Sequence, residues 1–166
     1  YGLLGLGALL AVGTLVARSG GDSSSSGPSL INDTDDSQIL VNQGVALQRI
    51  EDYTAGSSAL TQDIFTEAGV VGVTVIALDT INALIAAAVD GAADTVAEVQ
   101  DIVNQGLALQ KIEDYSTGSS ALTQATYTEA GIMGVTENTI NAINVRVLAA
   151  ADGAADTVAE VQDIVN

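Results

Sequence analysis

The sequence predicts an all-α chain of tandem three-helix repeats that share long connecting helices, preceded by an apolar N-terminal segment and a flexible linker. Three observations lead to this fold class. Residues 41–102 recur as residues 103–164, with Gly44 returning as Gly106, so the period is 106 − 44 = 62 and 42 of the 62 aligned positions are identical. Apolar residues within each repeat are spaced three and four apart. Each repeat also carries a Thr-x-x-Glu capping box, and periods of this length are typical of helical arrays.

The chain begins with an apolar segment, residues 1–18, whose first 17 residues read YGLLGLGALLAVGTLVA. This run is about as long as the shortest membrane span, roughly 17 residues. No basic residue precedes it, so a standard signal peptide is not indicated. Three interpretations stay open: a buried hydrophobic segment, a segment embedded in a membrane or pore, and an uncleaved sorting signal.

Residues 19–37 form a Gly/Ser/Asp linker, because Gly and Ser make a chain flexible. The linker contains Asp33, Asp35 and Asp36, which are weak candidates for calcium ligands. Their spacing lacks the Gly and the distal Glu of an EF-hand loop. Asp and Ser also favour helix N-termini, and we prefer this second interpretation.

A leading helix is predicted at residues 38–53, the first helical unit with its connecting helix at 54–115, and a second, truncated unit at 116–166. In the first unit we expect helices at about 59–68, 74–89 and 95–115. The first of these ends before Gly69, since a left-handed glycine commonly follows a helix. Thr74 opens the second helix, and the capping box of Thr95 and Glu98 opens the third.

Two glycines occupy the apolar faces of the long helices. Gly106 lies in the middle of the connecting helix, where glycine costs about 1 kcal/mol relative to alanine. Close approach of a neighbouring helix would explain its presence. Gly44 holds the same place in the leading helix, so both glycines are predicted to be close-packing positions.

Composition excludes several classes of function. The chain has four Lys and Arg against 21 Asp and Glu, a net charge of −17, which disfavours nucleic acids and anionic membrane surfaces. It has no Cys and no His, so disulfides, thiolate zinc sites and His- or Cys-based nucleophilic catalysis are excluded. The adjacent carboxylates Glu51 and Asp52 diverge by about 100° on a helix and do not form an acid–base pair. We expect neither an enzyme nor a cofactor.

Several recurring motifs resemble those of a known class of proteins. They are TEAGVVGVT at 66–74, TEAGIMGVT at 128–136 and DGAADTVAEVQDIVN at 90–104 and 152–166. They resemble helical repeats of very large secreted bacterial surface proteins of the adhesin and biofilm-matrix type. The resemblance covers residues 39–166 and implies a structural or adhesive role outside the cell or on its surface. It carries no functional residues across.

The two repeats differ most informatively where the first is apolar and the second is polar. Ile64, Val75, Ile76 and Leu84 stand where the second repeat has Thr126, Glu137, Asn138 and Arg146. Exposed apolar side chains of this size are unfavourable, so something is expected to cover the first repeat. The candidates are residues 1–17, folded back or donated by another molecule, and a neighbouring chain. The predicted interface therefore comprises these four residues and the leucines Leu3, Leu4, Leu9 and Leu10.

Three functions follow from these patterns. The first is a structural repeat region of a bacterial extracellular surface protein, a spacer or a self-assembling fibre or matrix component for adhesion or biofilm. In it, homo-oligomers or filaments form through the first repeat and the apolar segment. The alternative is a membrane or export-channel retention module in which residues 1–17 occupy a lipid or protein pore. A calcium-dependent binding module is the third and rests only on the three aspartates of the linker.

Overall fold

The structure is a computed structural model that describes residues 33–150 and 153–166, with side chains from residue 37 onward. Within these ranges the chain forms seven α-helices and no strand, which confirms the all-α prediction. The apolar segment and residues 19–32 of the linker lie outside the described residues. The helices are α1 (Asp33–Glu51), α2 (Gln62–Glu67), α3 (Leu78–Ala87), α4 (Val96–Glu113), α5 (Gln124–Glu129), α6 (Ile140–Ala149) and α7 (Val158–Val165).

The short helices are shorter than their apolar patterns indicated. In the first repeat α3 begins at Leu78 rather than near Thr74, because residues 75–77 form a turn instead of an α-helix. Thr74 still contributes to this turn, since its hydroxyl accepts a hydrogen bond of 3.4 Å from the Ala77 amide. At its other end α3 stops at Ala87, because Ala88 is extended.

The long helices begin where polar residues favour a helix start. α4 opens with the predicted capping box: the Thr95 hydroxyl accepts from the Glu98 amide, and the Glu98 carboxylate accepts from the Thr95 amide at 3.0 Å. Thr157 repeats the arrangement at α7. α1 begins at Asp33, five residues before the predicted start at residue 38, so part of the acidic linker is helical.

Two apolar cores lie along the chain, and they correspond position by position. The first includes Ile50, Phe65, Ile81 and Val99, each fully buried. The second contains their counterparts 62 residues later. They are Ile112, Tyr127, Ile143 and Val161.

Helix α4 contributes to both cores. Val99 and Val103 in its N-terminal half belong to the first core, whereas Leu109 and Ile112 in its C-terminal half belong to the second. Helix α3, which precedes α4 in the sequence, packs against it, and so does α5, which follows it. A single continuous helix therefore joins the two cores without a linker.

Glutamine side chains fasten the loops to these long helices. Gln100 on α4 donates to the Val71 carbonyl at 3.0 Å and accepts from the Val71 amide at 2.9 Å. Gln162 on α7 forms the same pair of bonds with Met133. Because each amide satisfies both backbone groups of an exposed loop residue, the loop is held in one position on the helix.

Candidate functional site

The four residues predicted as an interface in the first repeat occupy different environments. Ile64 is only 6% exposed and belongs to the first core. Leu84 is half-buried and packs against the second core. Val75 and Ile76 are each 72% exposed. Two of the four are thus already covered by the chain itself, and only Val75 and Ile76 remain available to a partner.

The second repeat explains much of the apolar character of the first. Leu84 contacts the core that follows it in sequence, so part of the cover we expected from residues 1–17 or a neighbouring chain comes from the next repeat. Its counterpart Arg146 instead donates to the Val165 carbonyl at 3.4 Å. This position of the repeat is therefore apolar in the first repeat, where the second core packs on it.

Gly106 lies under a crossing helix, as predicted. A Cβ atom at this position would stand 2.6 Å from Cγ1 of Ile81 on α3 and 3.5 Å from its backbone. At Gly44, no described atom lies within 4 Å of the corresponding position. For Gly44 close packing stays a prediction, because residues 1–32, which precede α1, lie outside the described part of the chain.

Among the described residues, the face of α1 around Gly44 is an exposed apolar surface, which we call the α1 strip: Leu40, Val41, Gly44 and Val45. Val41 is 58% exposed, whereas its counterpart Val103 on α4 is fully buried. Sequence reasoning missed this strip. Its signal was available, because the aligned residues of α4 are apolar.

A second exposed apolar surface lies in the loop before α3, and we call it the loop patch: Val75 and Ile76. Ile76 and Thr74 line one side of a groove of about 370 Å³ between the two repeats. Leu107, Tyr115 and Leu122 are among the residues on the other side. Lys111, one of the four cationic residues of the chain, also lines this groove.

The two cores differ in one buried hydrogen bond. In the second core the Tyr127 hydroxyl donates to Oδ1 of Asn144 at 2.7 Å, and Nδ2 of Asn144 donates to the Leu122 carbonyl at 3.0 Å. In the first core Asn82 donates to the Leu60 carbonyl at 3.2 Å, but its buried Oδ1 has no hydrogen-bond partner. Phenylalanine at position 65 lacks the hydroxyl that would supply one.

The acidity of Tyr127 is also perturbed. Burial disfavours its charged phenolate and, with a smaller contribution from the nearby Tyr115, raises the pKa of Tyr127 to about 12. The hydroxyl therefore stays protonated at neutral pH and remains a hydrogen-bond donor to Asn144. Its role is to hold the core together.

The candidate calcium ligands Asp33, Asp35 and Asp36 lie in the first turns of α1 by their backbone, while their side chains fall outside the described part of the structure. Among the described residues, no group of three or more His, Cys, Asp or Glu is arranged to hold a metal ion. Leu3, Leu4, Leu9 and Leu10 also lie outside the described ranges. Within those ranges no helix has both the length and the apolar character needed to cross a membrane.

Comparisons with protein-family models, with curated proteins and with solved structures found no match to this chain. Functional inference therefore depends on exposed apolar surfaces such as the α1 strip and the loop patch, and on the way in which α4 joins the two cores.

Proposed function

We propose that this chain is a structural repeat region of a bacterial extracellular surface protein, which serves as a spacer or as a self-assembling fibre or matrix component for adhesion or biofilm. The observation that carries the proposal is the sharing of α4 between two cores. A unit whose core includes half of a helix that it shares with its neighbour is stabilised by that neighbour, as in repeat arrays. Rigid continuation from one unit to the next is the property that a spacer needs.

The proposed array consists of tandem three-helix units that share their connecting helices. Helices α5 and α6 begin 62 residues after α2 and α3, since 124 − 62 = 62 and 140 − 78 = 62. Each unit uses the end of one long helix, two short helices and the start of the next long helix. The paired capping boxes at Thr95 and Thr157 start the long helices at the same register.

The array is tested by changing its length. Chains carrying one or two additional copies of residues 103–164, inserted after residue 164, are compared with the original chain by small-angle X-ray scattering and circular dichroism. Helix content per residue should stay constant, and the maximum dimension should rise by an equal increment per inserted copy. A chain that gains residues without gaining length in this way would contradict the array.

Self-assembly and location need separate measurements. We expect the purified chain to form filaments in electron micrographs, through the first repeat and the apolar residues 1–17, when salt screens its net charge of −17. Monomers at every salt concentration would leave only the spacer role. Location outside the cell is supported by the resemblance of the repeat motifs, and protease digestion of intact bacteria producing the parent protein tests it.

The alternative function, a membrane or export-channel retention module, is favoured by the uninterrupted apolar character of residues 1–17. Flotation with neutral phosphatidylcholine vesicles separates the two proposals. Co-flotation of the full chain that is lost when the leucines Leu3, Leu4, Leu9 and Leu10 are replaced by serine would favour the retention module. A chain that stays in the unbound fraction yet assembles would favour the structural protein.

A further inference from the structure

We infer that the Asp90–Gly91 peptide, in the turn between α3 and α4, is a site of spontaneous backbone modification, at which a cyclic imide forms and hydrolyses to isoaspartate. The inference is independent of the proposed function. It begins from an exposed turn in which the Gly91 amide makes no hydrogen bond with any described residue.

A hydrogen bond closes this turn, since the Ala92 amide donates to the Val89 carbonyl at 3.0 Å. Asp90 and Gly91 occupy its two central positions, and Gly91 has a φ of 81°. A positive φ at the second central position is the mark of a type II turn, and glycine adopts it without strain. Because glycine accepts either sign of φ, the Gly91 nitrogen can rotate toward the Asp90 side chain at low cost.

The surroundings of the turn leave room for this rotation. Apart from its chain neighbours, the described atoms within 4 Å of a Cβ built on Gly91 are the carboxylate oxygens of Asp94, at 3.7 and 3.9 Å. Asp90 and Gly91 also line an open groove of about 210 Å³, together with Glu51 and Tyr53. Asp90 is exposed, so solvent reaches its carboxyl group.

The reaction needs no reagent other than water. The Gly91 nitrogen attacks Cγ of Asp90: a C–N bond forms, a Cγ–O bond breaks, and the carboxyl OH leaves as water with the amide hydrogen. Water then opens the cyclic imide. Addition at Cγ restores aspartate, whereas addition at the backbone carbonyl carbon of Asp90 breaks the C–N bond there and leaves the chain running through Cβ and Cγ, which is isoaspartate.

Three other aspartates are exposed and lie in turns or bends rather than in helices: Asp52, Asp94 and Asp114. In each of them the following amide is already hydrogen-bonded. The amides of Tyr53 and Tyr115 donate to backbone carbonyls at 3.2 Å, and that of Thr95 donates to the Glu98 carboxylate at 3.0 Å. Among these four aspartates, Asp90 is the one followed by an unpaired amide and by a residue without a Cβ.

The second repeat has the same pair of residues as Asp152–Gly153, and Gly153 has a φ of 77°. Asp152 lies outside the described residues, so the inference is drawn for Asp90.

The product lengthens the main chain of the turn by a methylene group. The hydrogen bond from the Ala92 amide to the Val89 carbonyl then loses its geometry. Ala93, which is buried in the first core, and the helix cap at Thr95 follow within a few residues. Modification should therefore weaken the connection between α3 and α4 and lower the stability of the first core.

The test ages the full chain for several weeks in neutral buffer, both folded and in guanidinium chloride. The matched control is Asp90→Glu, which keeps the charge but would need a larger ring that forms much more slowly. Cleavage after glutamate releases residues 68–98, a peptide that contains Asp79, Asp90 and Asp94. Mass spectrometry with electron-transfer fragmentation locates isoaspartate in this peptide, and the loss of a water mass reports the imide.

We expect isoaspartate to form at Asp90 of the folded chain within about tenfold of its rate in guanidinium chloride, because an exposed turn opens at little cost in free energy. Asp52, Asp94 and Asp114 should yield less of it in the folded chain. A folded-state rate more than about tenfold below the denatured rate, or equal yields at the four aspartates, would overturn the inference.

Thermal melts test the consequence for stability. The aged chain should unfold at a lower temperature than the fresh chain, and Asp90→Glu should lose less on ageing. If both chains lose stability equally, the damage arises elsewhere and the expected effect on the first core is wrong.

Discussion

The unpaired carbonyl oxygen of Asn82 predicts that Phe65→Tyr stabilises the protein. Phe65 and Tyr127 occupy equivalent, fully buried positions, and in the second core the tyrosine hydroxyl donates to the asparagine at 2.7 Å. Nδ2 of Asn82 already donates to the Leu60 carbonyl, so its Oδ1 is fixed in the orientation that would accept this bond. The substitution copies into the first core a hydrogen bond that the second core makes.

The expected gain follows from two opposing contributions. A buried acceptor without a partner costs roughly 1–3 kcal/mol, and a newly buried hydroxyl must recover its own desolvation through the bond it makes. We expect a net increase of about 1 kcal/mol in the free energy of unfolding. For a chain of this size that is a rise of roughly 2–4 °C in Tm.

The assay is urea unfolding at low ionic strength, followed by circular dichroism at 222 nm. The reciprocal variant Tyr127→Phe is the matched control, and it should lose roughly 1–3 kcal/mol because it leaves Oδ1 of Asn144 without a donor. Equal m-values would show that the variants differ in stability rather than in the surface exposed on unfolding. The added tyrosine hydroxyl needs extra volume in the first core. The second core has the smaller Val147 where the first has Ile85, so the double variant Phe65→Tyr with Ile85→Val provides that volume.

The reasoning is refuted if Phe65→Tyr lowers stability both alone and with Ile85→Val. A Tyr127→Phe variant as stable as the original chain would refute it equally, because the hydrogen bond in the second core would then contribute nothing. If Phe65→Tyr gains stability and Tyr127→Phe loses a similar amount, the difference between the two cores comes from the hydrogen bond to the asparagine side-chain carbonyl.

Three further predictions concern single positions. Gly106→Ala should lower stability by about 1–3 kcal/mol in urea melts because its Cβ meets Ile81, whereas Gly44→Ala should raise it by up to about 1 kcal/mol; equal effects would contradict the packing difference. The raised pKa of Tyr127 means that the folded chain binds more protons than the unfolded chain between about pH 10 and pH 12. Stability should therefore be constant below pH 10 with respect to this residue and fall through that interval, a fall that Tyr127→Phe should reduce. Thr95→Ala should cost about 1 kcal/mol through loss of the capping box, and unchanged thermal melts would show that the cap is dispensable.

Local signals in the sequence predicted local structure well. The capping box at Thr95 and the positive φ of Gly69, 85°, follow from rules that involve only a few neighbouring residues. The close approach at Gly106 was also predictable, because a glycine on the apolar face of a helix needs a packing reason. The cap and the glycine turn are determined within one or two helical turns, whereas the contact at Gly106 is with Ile81 on α3, 106 − 81 = 25 residues away in sequence.

The environment of a substituted position was not predictable in the same way. Ile64 and Thr126 looked like an exposed difference between repeats, yet both are buried. The Thr126 hydroxyl lies 3.1 Å from that of Thr123, so the core accepts threonine there by satisfying its polar group locally. Comparing the sequences of the two repeats shows at which positions the polarity changes. Whether such a position is buried is decided by the helices and loops that pack around it.

The distribution of differences between the repeats reflects what each segment contacts. Of the 62 − 42 = 20 differing positions, 12 fall within residues 71–90 and their counterparts, and none falls within residues 90–102. The invariant segment forms the start of the long helix, which packs into its own core wherever it occurs. The variable segment contains the loop patch and α3, which face either the next core, as Leu84 does, or solvent, as Ile76 does. A repeat can therefore keep one fold while it changes the surface that it presents to its neighbour, and an array built in this way can restrict assembly contacts to selected units along its length.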